Sequence, residues 1–138
     1  MRRLIVMGLV LACAGCSAVP PNFNSAPPVP ADRVFDQALT VPGTEKGEIY
    51  LVRWTDAAGA AIVDARVYID GQRVANLAKG EGFRAFVSSG NHTVGVKVLG
   101  LDSAEQPVRT RDVAVAAGDV HRYEIFWAGG GFDIQPHL

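Results

Sequence analysis

Cysteine is almost absent from this chain of 138 residues, since it occurs only at Cys13 and Cys16. Residues 17–138 therefore hold no disulfide and no cysteine-ligated zinc. An excess of one charge is also missing, because the formal net charge is -1, and this balance argues against an electrostatic nucleic-acid binder. No apolar run approaches the roughly 20 residues that a transmembrane helix needs. The length suits a single domain.

Residues 1–15 have the pattern of a secretion signal. Arg2 and Arg3 precede a short apolar stretch, Leu4 to Ala12. The segment Ala14-Gly15-Cys16 resembles the bacterial lipobox, in which a signal peptidase cuts before a cysteine that receives lipid. The resemblance implies that Cys16 is the lipid acceptor. Cys13 is an alternative acceptor, and an ordinary signal peptide in which Cys16 is incidental is a further alternative.

The residue after the acceptor bears on location. Ser17 follows Cys16, and in lipoproteins a residue other than Asp at this position implies the outer membrane of a Gram-negative cell. A single acyl chain holds a protein only weakly at a bilayer, and the lipoprotein pathway attaches several to one cysteine. We therefore expect a monomeric, membrane-anchored protein that faces the periplasm.

Residues 16–46 have the composition of a tether. Proline fixes φ and lacks an N–H group, so such a stretch favours extended chain. At about 3.1 Å per residue, a spacer of this length would reach up to ~90 Å. Within it, Asp32 to Leu39 is compatible with two helical turns, with Asp32 as N-cap and Val34, Phe35 and Ala38 as an apolar face; an irregular conformation is equally compatible. The prolines of the segment are Pro20, Pro21, Pro27, Pro28, Pro30 and Pro42.

Residues 47–128 alternate short runs of strand formers with turn residues, the pattern of an antiparallel β-sandwich of about seven strands. Asp70-Gly71 is a strong hairpin signal. We expect Lys79 to Gly82 to form another hairpin loop and the last two strands to pair with each other. The expected strands are Glu48 to Trp54, Ala65 to Asp70, Gln72 to Ala78, Phe83 to Val87, His92 to Leu99, Val108 to Ala116 and Val120 to Trp127.

Two turn motifs in this region are similar to those of a known repeat. Val67-Tyr68-Ile69-Asp70-Gly71 and Gly90-Asn91-His92-Thr93-Val94 resemble the PEGA-type repeat, in which an apolar strand ends in Asp-Gly and a later turn has the form Gly-x-His-x-Val. Together with the strand at Ile49 to Trp54, they resemble uncharacterised bacterial lipoproteins with a PEGA-like, immunoglobulin-like sandwich. The resemblance spans roughly residues 47–127 and implies a scaffold without catalytic residues.

The polar residues form no close-spaced catalytic or metal-binding motif. His92, His121 and His137 are far apart in sequence, and we expect the ring of His92 to close the preceding turn through a backbone hydrogen bond. Ser88 and Ser89 share that turn, where hydroxyls usually bond the backbone. The sequence therefore predicts no catalytic residue, no metal and no cofactor, and a hydrolase is the least favoured class.

Aromatic side chains are the best candidates for a binding surface. Tyr68, Trp54 and Trp127 lie on expected strands, and Tyr68 shares the polar face of its strand with Arg66. Exposed together, such rings anchor sugars or partner proteins. Ordinary packing in a small sandwich is the alternative.

The function expected from these features is an interaction or scaffold module of the cell envelope that is not an enzyme. The rival is a carbohydrate- or peptidoglycan-binding module, which requires exposed aromatic rings with polar neighbours. A protein partner requires instead an apolar patch or an unpaired edge strand. Residues 129–138 form a glycine-rich tail that either packs back through Phe132 and Ile134 or stays loose.

Overall fold

The computed structural model describes residues 19–55, 63–99 and 108–138. These residues form eight β-strands and no α-helix, arranged as two four-stranded sheets packed into a sandwich. The all-β sandwich expected from the sequence is confirmed. The strands are β1 (Lys46–Arg53), β2 (Asp64–Ile69), β3 (Gln72–Leu77), β4 (Gly82–Ser88), β5 (Gly90–Leu99), β6 (Arg109–Val115), β7 (Val120–Ala128) and β8 (Gly131–Pro136).

Sheet I has the strand order β4-β1-β7-β8, and sheet II has the order β3-β2-β5-β6. Strands β1 and β7 run parallel, which corrects the expectation of a wholly antiparallel sandwich. Parallel neighbours need a crossover, and the chain between β1 and β7 includes all of sheet II. The expected pairing of β6 with β7 and the expected hairpin between β3 and β4 are wrong, because each of these turns carries the chain from one sheet to the other.

The last ten residues contain β8, the strand missing from the sequence prediction. Gly129 and Gly130 have φ values of 60° and 88°, a conformation that glycine adopts without strain and that makes a two-residue hairpin turn. β8 then pairs with β7 and buries Phe132 and Ile134. Of the two expectations for the tail, the structure thus supports packing back through these two side chains.

The core lies between the two sheets, and β1 is its central strand. Ile49 and Leu51 point into the core and are fully buried. Tyr50 and Val52 point to the outer face of sheet I and are also buried, so β1 carries buried apolar side chains on both faces. Arg53 extends β1 into the core with no exposed surface.

Residues 19–41, here called the strap, pack on the sandwich. Phe23, Val29 and Val34 are each less than a tenth exposed, and the last two belong to the main core. The expectation of an extended spacer over residues 16–46 is therefore wrong for the described part of that segment. Its apolar side chains gain burial by lying on the sandwich, which favours this arrangement over a free tether.

Backbone hydrogen bonds fix the course of the strap. The N–H of Val19 donates to the carbonyl of Thr55 at 3.0 Å, just beyond the end of β1. Further along, the N–H of Val29 donates to the carbonyl of Gly82 at 3.0 Å, and the N–H of Gly82 donates to the carbonyl of Pro27 at 2.9 Å. The strap therefore runs from the outer face of sheet I to the edge of β4.

The expected helical turns over Asp32 to Leu39 are replaced by two short 3-10 helices, Ala31–Arg33 and Gln37–Thr40. Asp32 lies inside the first helix and is not its N-cap. Asp36 caps the second, because its side chain accepts the N–H of Ala38. Pieces this short commonly adopt the tighter 3-10 form.

The lipid-acceptor prediction for Cys16, the alternative at Cys13 and the signal-peptide prediction lie outside the described residues. Among the residues that are described, no helix is long and apolar enough to cross a membrane.

Candidate interaction surface

The three aromatic residues nominated from the sequence do not share a surface. Tyr68 is half-buried on the outer face of sheet II. Trp54 follows β1 in sheet I, and its Nε1 donates to Oε2 of Glu124 at 3.1 Å. Trp127 packs against the main core, with its ring 5.1 Å from that of Phe132 in an edge-on contact. Of these three aromatic residues, only Tyr68 therefore lies on the outer face of sheet II.

A shallow apolar depression lies beside Tyr68. Tyr68 pairs with Gly95 on the neighbouring strand, and a Cβ at Gly95 would lie 2.7 Å from Cγ1 of Val108. The absence of a side chain at Gly95 thus allows the Val108 side chain to lie over β5. The depression has a volume of about 190 Å³ and is also lined by Thr93 and Thr110.

The strap covers one edge of each sheet. At the edge of β3, the N–H of Phe35 donates to the carbonyl of Val74 at 2.8 Å, and Val34 bridges to Ala75. At the edge of β4, the strap bonds Gly82, and the second 3-10 helix packs alongside. Both strands are thereby protected from pairing with another chain.

The edge of β8 is blunted by its own residues. The register with β7 points the backbone groups of Ile134 and Pro136 away from the sheet. The N–H of Ile134 instead donates to the Asp133 carboxylate at 2.8 Å, and Pro136 has no N–H group. By the same register the N–H of Phe132 also points away from the sheet, and it is the one backbone donor of residues 131–136 that remains on this edge for an added strand.

The edge of β6 is open among the described residues. Val94 pairs with Arg111, and the alternation along the strand points the backbone groups of Thr110, Asp112 and Ala114 away from the sheet. The Arg111 guanidinium covers the carbonyl of Thr110 at 2.9 Å. No described residue hydrogen-bonds the N–H or carbonyl groups of Asp112 and Ala114, and both residues are exposed. β6 is thus the strand best suited to accept another strand.

A histidine–aspartate pair closes the turns at one end of the sandwich. Nε2 of His92 lies 2.7 Å from the carbonyl of Ser88, as expected from the sequence, and Nδ1 lies 2.7 Å from a carboxylate oxygen of Asp70. Asp70 also accepts the N–H of Thr93 at 2.9 Å. Burial opposes the charge on both groups, but these hydrogen bonds outweigh it, so the pKa of His92 is raised and that of Asp70 is lowered.

We expect this pair to stabilise the fold most between about pH 4 and about pH 6.5. As the pH rises through the raised pKa of His92, the imidazolium loses its proton and the contribution is lost. As the pH falls through the lowered pKa of Asp70, the carboxylate is protonated, with the same result. Urea unfolding should therefore show that His92→Gln costs about 0.5–1 kcal/mol more near pH 5.5 than near pH 8.5. An equal cost at both pH values would contradict the pairing.

A buried carboxylate that the sequence did not single out as a site connects the end of β1 to β8 and to His137. Glu124 lies on the outer face of sheet I and is 8% exposed. It accepts hydrogen bonds from Trp54 and Gln135 and lies 2.5 Å from Nδ1 of His137. Burial would raise its pKa, but these hydrogen bonds hold the pKa below the usual value. The ring of His137 in turn packs 4.6 Å from that of Phe23 in the strap.

Among the described residues, Asp112 and Glu124 form no ion pair with the arginines of β6 and β7. The structure instead places Arg111 3.4 Å from Asp133 on β8, while Asp112 accepts the hydroxyl of Thr93. Glu124 is occupied by the residues described above. The ion pair of Arg111 thus connects sheet II to sheet I, because Asp133 lies on β8.

No group of three or more potential metal ligands occurs among residues 19–55, 63–99 and 108–138. The three histidines lie apart, each beside one carboxylate: His92 with Asp70, His121 with Asp119 and His137 with Glu124. Ser88 offers its backbone carbonyl to His92. Among the described residues, the edge of β6 and the depression beside Tyr68 are the two features suited to binding.

Comparison with protein-family models found no match, and comparisons with curated proteins and with solved structures found none either. The PEGA-like resemblance stays a prediction.

Proposed function

We propose that this protein is a non-catalytic interaction module of the bacterial envelope, lipid-anchored through Cys16 to the outer membrane and facing the periplasm. Its β-sandwich binds an envelope protein by accepting a strand of that protein along β6. The observation that carries this proposal is that no described residue covers the edge of β6, whereas the other three edges of the sandwich are covered or blunted.

Strand addition suits this edge chemically. Asp112 and Ala114 offer two N–H donors and two carbonyl acceptors in line along an exposed strand. An added strand satisfies such groups with main-chain hydrogen bonds, while its alternate side chains contact the sheet face. Natural sandwiches usually cover their edges, so one edge left open beside three protected ones supports a role in binding.

Ala114→Pro is expected to abolish this binding while leaving the fold intact. Proline removes an N–H that points away from β5, so the β5–β6 ladder keeps its hydrogen bonds. With a photo-reactive residue at Thr110 in intact cells, the discrete protein adduct of the wild type should fall by at least about tenfold, equivalent to 1.4 kcal/mol. The matched control, Ala114→Ser, keeps the N–H and should keep the adduct.

Three other outcomes would count against this proposal. An adduct that Ala114→Pro leaves unchanged would contradict binding along β6. An adduct with twice the mass of the chain would identify a second copy and contradict a monomer that binds another protein. Adducts to glycan alone would favour a wall-binding module.

The wall-binding alternative is supported by the depression beside Tyr68. The Tyr68 ring gives this apolar depression a surface on which a sugar ring can stack. A probe at Tyr68 in the same cells separates the two functions, because a wall-binding module would give glycan adducts there that Ala114→Pro does not reduce.

A further inference from the structure

The strap determines where the lipid anchor leaves the sandwich. The first described residue, Val19, is hydrogen-bonded to Thr55 at the end of β1. Only three peptide steps separate Val19 from Cys16. Consecutive Cα atoms are 3.8 Å apart, so whatever conformation these residues adopt, the Cys16 Cα lies within about 11 Å of the Val19 Cα.

Two described connections lie at the end of the sandwich that Val19 reaches. Val52 of β1 pairs with Gly82, so the turn that contains Lys79 lies there. Strand β7 runs parallel to β1, so its hairpin with β8, with Gly129 and Gly130 at the tip, lies there too. This set of connections is called the anchored end.

The opposite end lies farther away than the anchor can reach. It contains the Asp70-Gly71 hairpin and the turn from β6 to β7 at Ala117-Gly118. An eight-residue strand such as β1 is about 26 Å long. The lipid on Cys16 can therefore hold one end of the sandwich near a bilayer while the other stays in solution.

We infer that the phospholipid bilayer is a second binding partner and that the anchored end lies against it. This inference rests on the proposed lipidation of Cys16. The surface is suited to the headgroup region, because the amphipathic ring of Trp54 is partly exposed there. The nearby Glu81 carboxylate is neutralised by Arg33, whose Nη1 lies 2.9 Å from Oε2, which reduces repulsion by anionic lipids.

This orientation also determines where the open edge of β6 lies relative to the bilayer. Strand β6 is antiparallel to β5 and begins at Arg109 on the anchored end. Ala114 therefore lies toward the opposite end, away from the bilayer. A periplasmic partner can reach the exposed N–H and carbonyl groups without penetrating the headgroup layer.

Fluorescence quenching by lipids tests the orientation. Once the signal segment is removed and Cys16 is lipidated, no native thiol remains, so Lys79→Cys and Ala117→Cys each give a single labelling site in an exposed turn. The full lipidated protein is placed in phosphatidylethanolamine–phosphatidylglycerol vesicles that carry a headgroup quencher. We expect loss of most fluorescence from the probe at 79 and almost none from the probe at 117.

A spacer provides the matched control. Inserting about 20 Gly/Ser residues between Ser17 and Ala18 adds an average span of ~25 Å and should remove most of the difference between the probes. Equal quenching at both sites without the spacer, with lipid found on Cys16 by mass spectrometry, overturns the orientation alone. The absence of lipid on Cys16 overturns both the proposed anchoring and this inference.

Discussion

Replacing Arg53 with alanine is expected to lower the free energy of unfolding by about 3–5 kcal/mol. Arg53 has no exposed surface, and its Nη1 donates to the carbonyls of Val63 at 2.6 Å and Leu77 at 3.0 Å. The guanidinium also lies 4.5 Å from the centroid of the Phe132 ring. Alanine would leave two carbonyls without these donors and a cavity between the sheets.

Arg84 provides the matched control for this experiment. It also stacks on an aromatic ring, that of Tyr50, and pairs with Glu48, but its side chain is 52% exposed. Arg84→Ala should therefore cost less than about 1 kcal/mol. Urea unfolding of both variants at one pH gives the comparison. Equal costs for the two arginines would contradict a structural role for the buried one.

Val34→Asp is expected to lower the free energy of unfolding by about 3–5 kcal/mol, whereas Phe35→Asp should lower it by less than about 1 kcal/mol. Val34 is 8% exposed within the core, and Phe35 is 50% exposed. The substitution is the same at neighbouring positions, so the difference reports whether the strap is part of the fold. Phe35→Asp also loses the contact between Phe35 and the Arg73 guanidinium, which is a small surface contribution.

Denaturant unfolding of the mature chain measures both variants. If residues 19–41 formed a free tether, Val34→Asp and Phe35→Asp would unfold at the same urea concentration as the wild type. A large cost for Phe35→Asp together with a small cost for Val34→Asp would show that the strap packs with the opposite face inward.

Local sequence patterns located the first seven strands well. The strand expected at Ala65 to Asp70 is observed at Asp64–Ile69, and the positive φ values of Asp70 and Gly71 match the hairpin turn. Alternation and turn chemistry are local properties, so the sequence shows them directly. Sheet membership is not local, and for this reason the turns from β3 to β4 and from β6 to β7 were wrongly expected to join paired strands.

The strap could not be recognised because its apolar residues follow no period. Phe23, Val29 and Val34 are separated by prolines and polar residues, and each packs on a different part of the sandwich. The composition indicated an extended spacer, whereas the described segment packs on the sandwich and contains two 3-10 helices. The composition gave no indication that the strap would pack on the sandwich.

The candidate site was only partly predictable. Tyr68 was expected on the polar face of its strand, and the structure places it beside a depression that the missing side chain at Gly95 helps to form. Trp54 has the outward parity of Tyr50 and Val52, but its partner Glu124 is 70 positions away. The open edge of β6 could not be predicted, because it depends on the order of the strands within the sheets. Local sequence patterns do not determine that order.

Amide hydrogen exchange of the mature protein tests most directly whether the strap closes two edges while β6 stays open. We expect slow exchange at Val29 and Phe35, whose N–H groups bond Gly82 and Val74. On β6 we expect slow exchange at Val113, which faces β5, and fast exchange at Asp112 and Ala114. Fast exchange throughout the strap, or protection of Asp112 and Ala114 in the isolated monomer, would contradict this arrangement.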